Sequence, residues 1–244
     1  MKILSGILLL LLSLIVNGQN CMDLLAAAYS KMEKPLPEEK DKCAYFEYII
    51  KSTSSVIKGA DKPLVSSVHY YIWARKDYIV MESNLADMYK NNEYTIAINH
   101  LAKIVTVGYS ASPVSNDENV LGIKSMREGI LMHSVLESCS TKVEDPKVKV
   151  LTLIVNENAR DFSTVRKLRF EINSISQDLL KATIYFTSIR QDISRLDYSF
   201  IRIDYSNDDQ KFKKNILDNI LDNKGKLLPE FKDFEYYDLR KQKS

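Results

Sequence analysis

The residue types that most often carry chemistry are few and scattered in this sequence. Its three histidines are His69, His100 and His133, and none belongs to an HExxH motif or lies beside a CxxC motif, the spacings that hold zinc. There is no GxSxG motif for a nucleophilic serine, and the glycines are too sparse for a phosphate-binding loop. We therefore predict no catalytic residue, no metal site and no cofactor, and we expect that the protein is not an enzyme.

The cysteines bear on the compartment in which the protein works. There are three, Cys21, Cys43 and Cys139, and Cys139 lacks the electropositive surroundings that activate a thiol, because it lies between serines that follow an acidic residue. Three cysteines are too few for a disulfide framework, so one bridge and one remaining thiol is the simplest arrangement in an oxidising compartment. We expect Cys43 and Cys139 to pair, although the sequence leaves the other pairings open.

Aromatic side chains are the more distinctive group of candidates. Several lie in strand-like segments of the first half of the chain, and one face of a curved sheet built from those strands would line a cavity. The alternative is that the rings fill the core beneath a helix, since large aromatic residues dominate ordinary cores as well. We take six side chains as candidate ligand-binding residues: Phe46, Tyr48, Tyr71, Trp73, Tyr78 and Met81.

The first 18 residues have the order of a secretory signal peptide. Lys2 is followed by an apolar stretch from Ile7 to Val16 and then by small and polar residues. The apolar stretch is well short of the roughly 20 residues that a membrane-spanning helix needs, so we expect no transmembrane span in the mature chain. Cleavage near Gly18 would release a periplasmic protein, and lipid attachment to Cys21 is the alternative.

Hydrophobic periodicity divides the mature chain into helices and strands. A helix from Asn20 to a point before Pro35 is predicted by apolar residues three and four apart. A capping box that begins at Ser115 predicts a helix to about Glu137, and a third helix is predicted over Asp209–Asp222. Strands are predicted at Tyr45–Ile50, Val68–Arg75, Tyr78–Glu82, Ala86–Tyr89, Tyr94–Asn99, Ile104–Tyr109, Lys147–Asn156, Val165–Asn173, Leu180–Thr187, Tyr198–Tyr205 and Phe234–Leu239.

These elements predict an α+β fold with a single domain over residues 19–244. Its centre would be a strongly curved antiparallel sheet, an incomplete β-barrel, because a sheet of about ten twisted strands tends to curl or close. Helices would pack in or over the concave face. The sequence carries 34 lysines and arginines against 32 acidic residues, a net charge of +2, so we expect no nucleic-acid partner.

The pattern of these elements resembles that of the LolA/LolB-like outer-membrane lipoprotein carriers. The resemblance covers roughly Leu24 to Tyr205 and begins with the order of signal peptide, short amphipathic helix and long first strands. It continues in the strand, charged turn, strand and hairpin of Tyr71–Glu82 and Tyr94–His100. The later pair Leu168–Ile172 and Leu180–Phe186 is similar to the second half of such proteins. This is a likeness of pattern, without a short motif that matches residue by residue.

The resemblance implies an incomplete barrel that is plugged by helices and binds acyl chains or other apolar ligands in the periplasm. The chain departs from the family in its few glycines, its longer C-terminal region and the lack of an arginine that matches the carriers' gating position. One hypothesis is a carrier or sensor of lipid, acyl chains or lipoproteins, with an apolar ligand or an acylated protein as its partner. The other is a cell-envelope scaffold or interaction protein whose core is filled by its own side chains.

Overall fold

The computed structural model describes residues 20–39, 41–54, 62–111, 114, 131–156, 164–187, 193–208 and 211–241. Within them, residues 20–32 form one helix, α1. Short 3-10 segments lie at Leu131–His133, Ile216–Asn219, Pro229–Phe231 and Leu239–Lys241. The strands are β1 (Cys43–Ser54), β2 (Val65–Arg75), β3 (Tyr78–Ser83), β4 (Ala86–Asn91), β5 (Tyr94–Asn99), β6 (Ile104–Tyr109), β7 (Ser134–Thr141), β8 (Val148–Val155), β9 (Val165–Asn173), β10 (Leu179–Phe186), β11 (Ile193–Asn207) and β12 (Glu235–Asp238).

The twelve strands form one sheet in the order β12-β6-β5-β4-β3-β2-β1-β11-β10-β9-β8-β7. Neighbours whose registers are described pair antiparallel, except that β12 runs parallel to β6. β12 and β7 stand at opposite ends of the order, so the sheet does not close on itself. The predicted α+β fold around a large, unclosed antiparallel sheet is confirmed. Every predicted strand overlaps an observed one, and among the described strands only β7 lacks a predicted counterpart.

Close contacts divide the chain into two compact units. The first unit contains the described residues within 1–34, 50–67 and 121–200, and the second contains those within 35–49, 68–120 and 201–244. Strands β7 to β10 therefore belong to the first unit, and β3 to β6 belong to the second together with β12. The single domain that the sequence suggests stays a prediction.

In the first unit, α1 packs onto the sheet through its apolar side. Leu25, Ala28 and Tyr29 are buried, and the Tyr29 ring meets the Phe170 ring of β9 edge to face, with 6.0 Å between their centroids. The buried helix residues are spaced three and four apart along the chain, which places them on one side of the helix. The predicted amphipathic helix is confirmed within the described residues.

A disulfide joins α1 to β7, and it is not the predicted one. Cys21 bonds Cys139, with their Cα atoms 6.5 Å apart, whereas Cys43 is a buried thiol outside the bridge. The register explains the pairing, because Cys139 lies opposite Leu151 and Leu151 lies opposite Phe170. These three side chains point to the sheet face on which α1 packs, which brings Cys139 to Cys21. The prediction of a Cys43–Cys139 bridge is wrong.

The same bridge bears on membrane attachment. The Cys21 sulfur is bonded to Cys139 and has no valence left for the thioether of a lipid anchor. The structure therefore contradicts the alternative of lipid attachment through Cys21. In the part of the chain that the structure describes, no helix combines the length and the apolarity needed to span a membrane.

The second unit is built on the meander from β2 to β6, whose strands pair antiparallel in sequence order. Ser83 and Asn91 stabilise two of its turns. The side-chain oxygen of each accepts hydrogen bonds from the backbone N–H groups two and three residues later. One face of the meander carries a hydrophobic core. Ile216, Ile220 and Phe231, which follow β11, are buried in that core, so the C-terminal segment covers this face of the sheet.

The predicted middle helix differs from the structure at its end. Residues 134–137 belong to β7, and the earlier part of the prediction, residues 115–130, lies outside the described residues. Half of the residues in β7 are Ser or Thr. Their hydroxyls compete for backbone hydrogen bonds inside a helix, whereas the neighbouring strand β8 offers the segment a partner.

The helix predicted over Asp209–Asp222 is reduced, in its described residues, to the 3-10 segment Ile216–Asn219. The Asn215 side chain caps this segment, and Asn219 Nδ2 donates to the carbonyl oxygen of Ile216 at 2.7 Å. Asn and Asp side chains that bond the nearby backbone favour turns over a continuous helix. The apolar spacing thus identified buried positions correctly, but the prediction of a long helix is wrong.

The disulfide predicts both thiol content and stability. Without reductant, the denatured protein should react with one equivalent of a thiol reagent, at Cys43, because the other two cysteines are bonded. The variant Cys21→Ser/Cys139→Ser should lower the free energy of unfolding by about 2–5 kcal/mol, since the bridge closes a long loop and limits the unfolded chain. Urea unfolding measures this loss.

The matched control is Cys43→Ala, which removes a cysteine and leaves the loop closed. It should have no reactive thiol and should keep the stabilisation of the bridge. Three reactive thiols in the denatured, unreduced protein would show that Cys21 and Cys139 do not pair.

Candidate functional site

The six predicted ligand-binding side chains do not form one surface. Across β2 and β3, Trp73 pairs with Val80 and Ile72 pairs with Met81, so Trp73 and Met81 lie on opposite faces of the sheet. Tyr45 contacts Trp73, so the next residue of β1 points away from that face. The predicted set therefore divides: Tyr71, Trp73 and Tyr78 lie on one face, and Phe46, Tyr48 and Met81 lie on the other.

The face that carries Trp73 holds a continuous row of rings. The Tyr45 ring lies 5.3 Å from Trp73, and the Tyr71 ring stacks with Trp73 at 6.4 Å. His69 in turn stacks 4.3 Å from Tyr71, all measured between ring centroids. We call Tyr45, Trp73, Tyr71 and His69 the aromatic row. It arises because alternate residues of β2 point to the same side and β1 supplies the neighbouring ring.

A carboxylate joins the two ends of the aromatic row. Glu47 Oε2 accepts a hydrogen bond from the Tyr45 hydroxyl at 3.0 Å, and Glu47 Oε1 lies 3.0 Å from His69 Nε2. The Tyr71 hydroxyl lies 3.2 Å from the other ring nitrogen, His69 Nδ1. Because a carboxylate only accepts, Nε2 carries a proton, and in the neutral imidazole Nδ1 accepts from Tyr71. These bonds fix the orientation of three of the four rings.

The Tyr45 phenol keeps its proton over a wide pH range. Burial disfavours the charged phenolate, and the hydrogen bond to Glu47 adds to this effect, so the pKa of Tyr45 is raised to about 12. Tyr45 therefore acts as a hydrogen-bond donor to Glu47 at every physiological pH. The hydrogen bond between Tyr45 and Glu47 therefore persists at this end of the row.

Two cations lie over rings of the row. Lys211 Nζ is 4.4 Å from the centre of the Trp73 ring and bridges to Glu82. The guanidinium carbon of Arg202 is 5.1 Å from the centre of the Tyr45 ring. A cation over an aromatic face is attracted by the electron density of the ring. Each cation also has an acidic partner, Glu82 for Lys211 and Asp204 for Arg202, so the row is bordered by ion pairs and is apolar along its ring faces.

One polar atom in the row is left without a protein partner. Trp73 is only 4% exposed, and its indole Nε1–H has no hydrogen-bond acceptor among the described residues. A buried donor without an acceptor costs free energy, so such atoms are uncommon in folded proteins. Trp73 thus offers a donor that a bound acceptor could satisfy.

The predicted residues on the opposite face act in packing. Phe46 meets the edge of Tyr205 at 5.5 Å between centroids, and Tyr48 stacks on Tyr70 at 5.3 Å. Phe46 and Tyr48 are buried, and Met81 is half-buried. These contacts give the rings of Phe46 and Tyr48 protein neighbours in the folded chain.

Tyr78 connects the sheet to the C-terminal segment. Its ring lies 5.2 Å from Phe212, and its hydroxyl accepts a hydrogen bond from Asn219 Nδ2 at 2.8 Å. Burial raises the pKa of Tyr78 to about 12, against the smaller lowering effect of the bond from Asn219. Tyr78 is therefore part of the core beneath the C-terminal segment and not of the aromatic row.

The arrangement offers binding surfaces more than reactive groups. Each oxygen of Glu47 and each ring nitrogen of His69 is hydrogen-bonded to another member of the same cluster. These hydrogen bonds hold the side chains of the cluster in position. Among the described residues, no group of three His, Cys, Asp or Glu side chains is placed to hold a metal ion. What the row presents is flat ring surface, a buried indole donor and bordering ion pairs.

Sequence reasoning found part of this site and missed the rest. It named Tyr71 and Trp73, but the polar and cationic members, among them Glu47, His69 and Lys211, were not predicted. Glu47 and His69 carry a usable signal, because each stands two residues from an aromatic residue in a strand. The sequence around Lys211 gives no such signal, because its contact with Trp73 depends on how the chain folds after β11.

Solved structures include several similar folds. An uncharacterized conserved protein from Thermus thermophilus is 7% identical with a TM-score of 0.40, over 89% of this chain and 98% of that chain. A LolA superfamily protein from Nitrosomonas europaea is 7% identical with a TM-score of 0.29, over 75% and 91%. A domain from Vibrio parahaemolyticus, described as an outer membrane lipoprotein-sorting protein, is 9% identical with a TM-score of 0.32, over 82% and 96%.

No protein-family model matches the chain, and no curated protein matches it. The predicted likeness to LolA-type proteins is found again among the solved structures. With TM-scores below 0.5, these likenesses carry no argument about what the chain binds or does.

The contact between Glu47 and His69 predicts an energetic coupling. In a double-mutant cycle with Glu47→Ala and His69→Ala, the two losses of unfolding free energy should be less than additive by about 1 kcal/mol, because each single variant already breaks the shared hydrogen bond. Urea unfolding of the four proteins measures the coupling.

The control cycle uses Glu38→Ala and Lys76→Ala, an ion pair at 2.8 Å whose side chains are 70% and 54% exposed. Solvent screens this pair, so its coupling should be the smaller of the two. Strictly additive losses for Glu47 and His69 would contradict the described contact.

Proposed function

We propose that the protein is a non-enzymatic binding protein of the periplasm that carries or senses an acyl chain, as free lipid or on an acylated protein. The observation that carries this proposal is the aromatic row together with the unsatisfied indole donor of Trp73. Ligand sites are mostly apolar surfaces with a few placed polar groups. The row has this composition, and it lies on a sheet face that is already shielded from water.

An acyl chain fits the chemistry of the row. The faces of Tyr71 and Trp73 are flat and apolar, and burial of each methylene group of a chain against such surface is favourable by about 0.8 kcal/mol. A carboxylate or ester oxygen at the end of the chain would accept from Trp73 Nε1, which removes the cost of the unsatisfied donor. Lys211 lies over the Trp73 ring, and an anionic end group would share this cation with Glu82.

Access to the row requires movement of its cover. Ile216, Ile220 and Phe231 occupy the same core as Trp73, so a ligand would have to displace part of the segment that carries them. That segment is held by short 3-10 turns and lacks the cooperative hydrogen bonds of a long helix. Elements with little regular structure open at lower free energy than core strands.

The disulfide supports the proposed location. Bridges such as Cys21–Cys139 form and persist in oxidising compartments, the periplasm among them, and are rare in the cytosol. The signal-like sequence of residues 1–18 supports the same location.

A second function is favoured by the same cover. Because Ile216, Ile220 and Phe231 fill the core beside Trp73, the protein would also be complete as an envelope scaffold without any small ligand. The two functions differ in whether an apolar molecule replaces these side chains.

Organic extraction of the protein purified from its native envelope separates the two functions. The carrier function predicts a fatty acid, phospholipid or acylated peptide in the extract, at close to one molecule per chain, because the row would be occupied. Mass spectrometry of the extract measures this. An extract with no apolar molecule, from a sample shown to be folded, would favour the scaffold.

Trp73 provides a second test, since it is the one tryptophan of the chain. Oleate added to delipidated protein should change the tryptophan emission and saturate, because the ligand would contact Trp73. In Tyr71→Ala the apparent affinity should fall about tenfold, since one large ring surface of the row is lost. Fluorescence titration gives both affinities.

The matched control is Tyr237→Ala, which removes a ring that is 46% exposed on β12. It should bind oleate as the parent protein does. Equal affinities for Tyr71→Ala and the parent protein would remove the aromatic row from the proposal.

A further inference from the structure

A second site in the second unit has a different chemistry from the aromatic row. It is a cleft of about 790 Å³ at the turns that follow β2 and β4, closed on one side by residues 212–214 of the C-terminal segment. The rings of Tyr78 and Phe212 form part of its wall, and the remaining wall is largely polar or charged. This volume is in the range of small-molecule sites.

The acidic side chains of the cleft are already engaged. Glu38 accepts from Lys76 Nζ at 2.8 Å, and Asp77 accepts from Arg75 Nε at 2.7 Å. The third, Glu93, is hydrogen-bonded by the hydroxyl of Tyr94. Glu38 and Asp77 are thus paired with cations, whereas the neutral hydroxyl of Tyr94 leaves the charge of Glu93 unbalanced.

The basic side chains are not balanced to the same degree. Lys213 and Lys214 line the cleft and form no ion pair with any described residue. Arg75 is held in place, because its guanidinium lies 4.6 Å over the Phe212 ring and its Nε is bound to Asp77. Its two terminal nitrogens have no acceptor among the described residues, so the planar fork of the guanidinium is preorganised for a further oxyanion.

Two amides of the wall are also oriented as donors. Asn91 Oδ1 accepts from two backbone N–H groups, those of Glu93 and Tyr94, and Asn92 Oδ1 accepts from the N–H of Val114. Neither NH₂ group has an acceptor among the described residues, so both amides can donate to a ligand. The cleft therefore combines Lys213, Lys214 and the terminal nitrogens of Arg75 with amide donors, and its four basic and three acidic side chains carry a net charge of +1.

We propose that this cleft binds a phosphate ester. A phosphate has enough charge and oxygen atoms to use the Arg75 fork together with Lys213 and Lys214. The volume leaves room for an organic group beside Tyr78 and Phe212. This site and ligand class are separate from the acyl chain proposed for the aromatic row. The phosphate ester comes either from a soluble metabolite or from the head group of a phospholipid.

Binding to two probes distinguishes these sources. Glycerol 3-phosphate represents the soluble ester and is titrated by calorimetry. Vesicles of phosphatidylglycerol represent the head group and are tested by co-sedimentation, with phosphatidylcholine vesicles as the reference without net charge. Binding to glycerol 3-phosphate indicates a soluble ligand, whereas binding only to phosphatidylglycerol indicates a membrane head group.

The variant Lys213→Ala/Lys214→Ala tests the site. It should bind the active probe at least about tenfold more weakly, because two charge-assisted contacts are lost. Arg75→Lys should also weaken binding, since it keeps the charge and loses the planar fork. The matched control is Lys224→Ala/Lys226→Ala, which removes the same charge from exposed residues outside the cleft and should bind as the parent protein does.

Two results would overturn the proposal. One is equal weakening in the cleft variant and in the control variant, which would show attraction by general positive charge. The other is failure of both probes to bind the parent protein. Neither result depends on whether an acyl chain occupies the aromatic row, so this proposal and the proposed carrier function fail separately.

Discussion

The antiparallel register between β2 and β3 decides what the second unit presents on each face of its sheet. Trp73 stands opposite Val80, and Tyr71 stands opposite Glu82. Because side chains alternate with a period of two, a slip of one residue in β2 would carry Tyr71 and Trp73 to the other face. It would also part Trp73 from Lys211, which reaches the ring from its ion pair with Glu82. The positions of Tyr71, Trp73 and Lys211, and of the side chains that cover Trp73, all depend on this register.

Both faces of this part of the sheet bury aromatic side chains, which explains why the protein can be interpreted as a carrier or as a scaffold. Phe46 and Tyr48 find protein partners on one face, whereas on the other face Trp73 shares its core with Ile216 and Phe231 of the C-terminal segment. The buried side chains that this segment sets against Trp73 are apolar, while its turns are held by backbone hydrogen bonds and Asn219 bonds Tyr78. Apolar contacts are non-directional, so under the proposed carrier function an acyl chain would take the place of these side chains.

The strands were predictable because their signal is local. Alternation and turn residues give β2 to β6 nearly their observed bounds, and β9 its observed bounds. The segment near Ile216 shows the limit, because its apolar spacing suits a helix while Asn215 and Asn219 bond the backbone and hold it in a short turn. Which face a side chain takes, and which cysteine meets Cys139, depend on registers between distant strands. A single sequence contains no direct signal for either.

The bridge between Cys21 and Cys139 has a consequence for how the protein matures. Cys43 lies between the two partners in the chain, so a protein exported N-terminus first brings Cys21 and Cys43 into an oxidising compartment before Cys139 arrives. The shorter loop between the early pair closes at a lower entropic cost. Wherever that early pair forms, the native bridge requires thiol–disulfide exchange in which Cys139 displaces Cys43. Burial of the Cys43 thiol in β1 withdraws it from the reverse reaction. Maturation by that route would call for a compartment that isomerises disulfides as well as one that forms them.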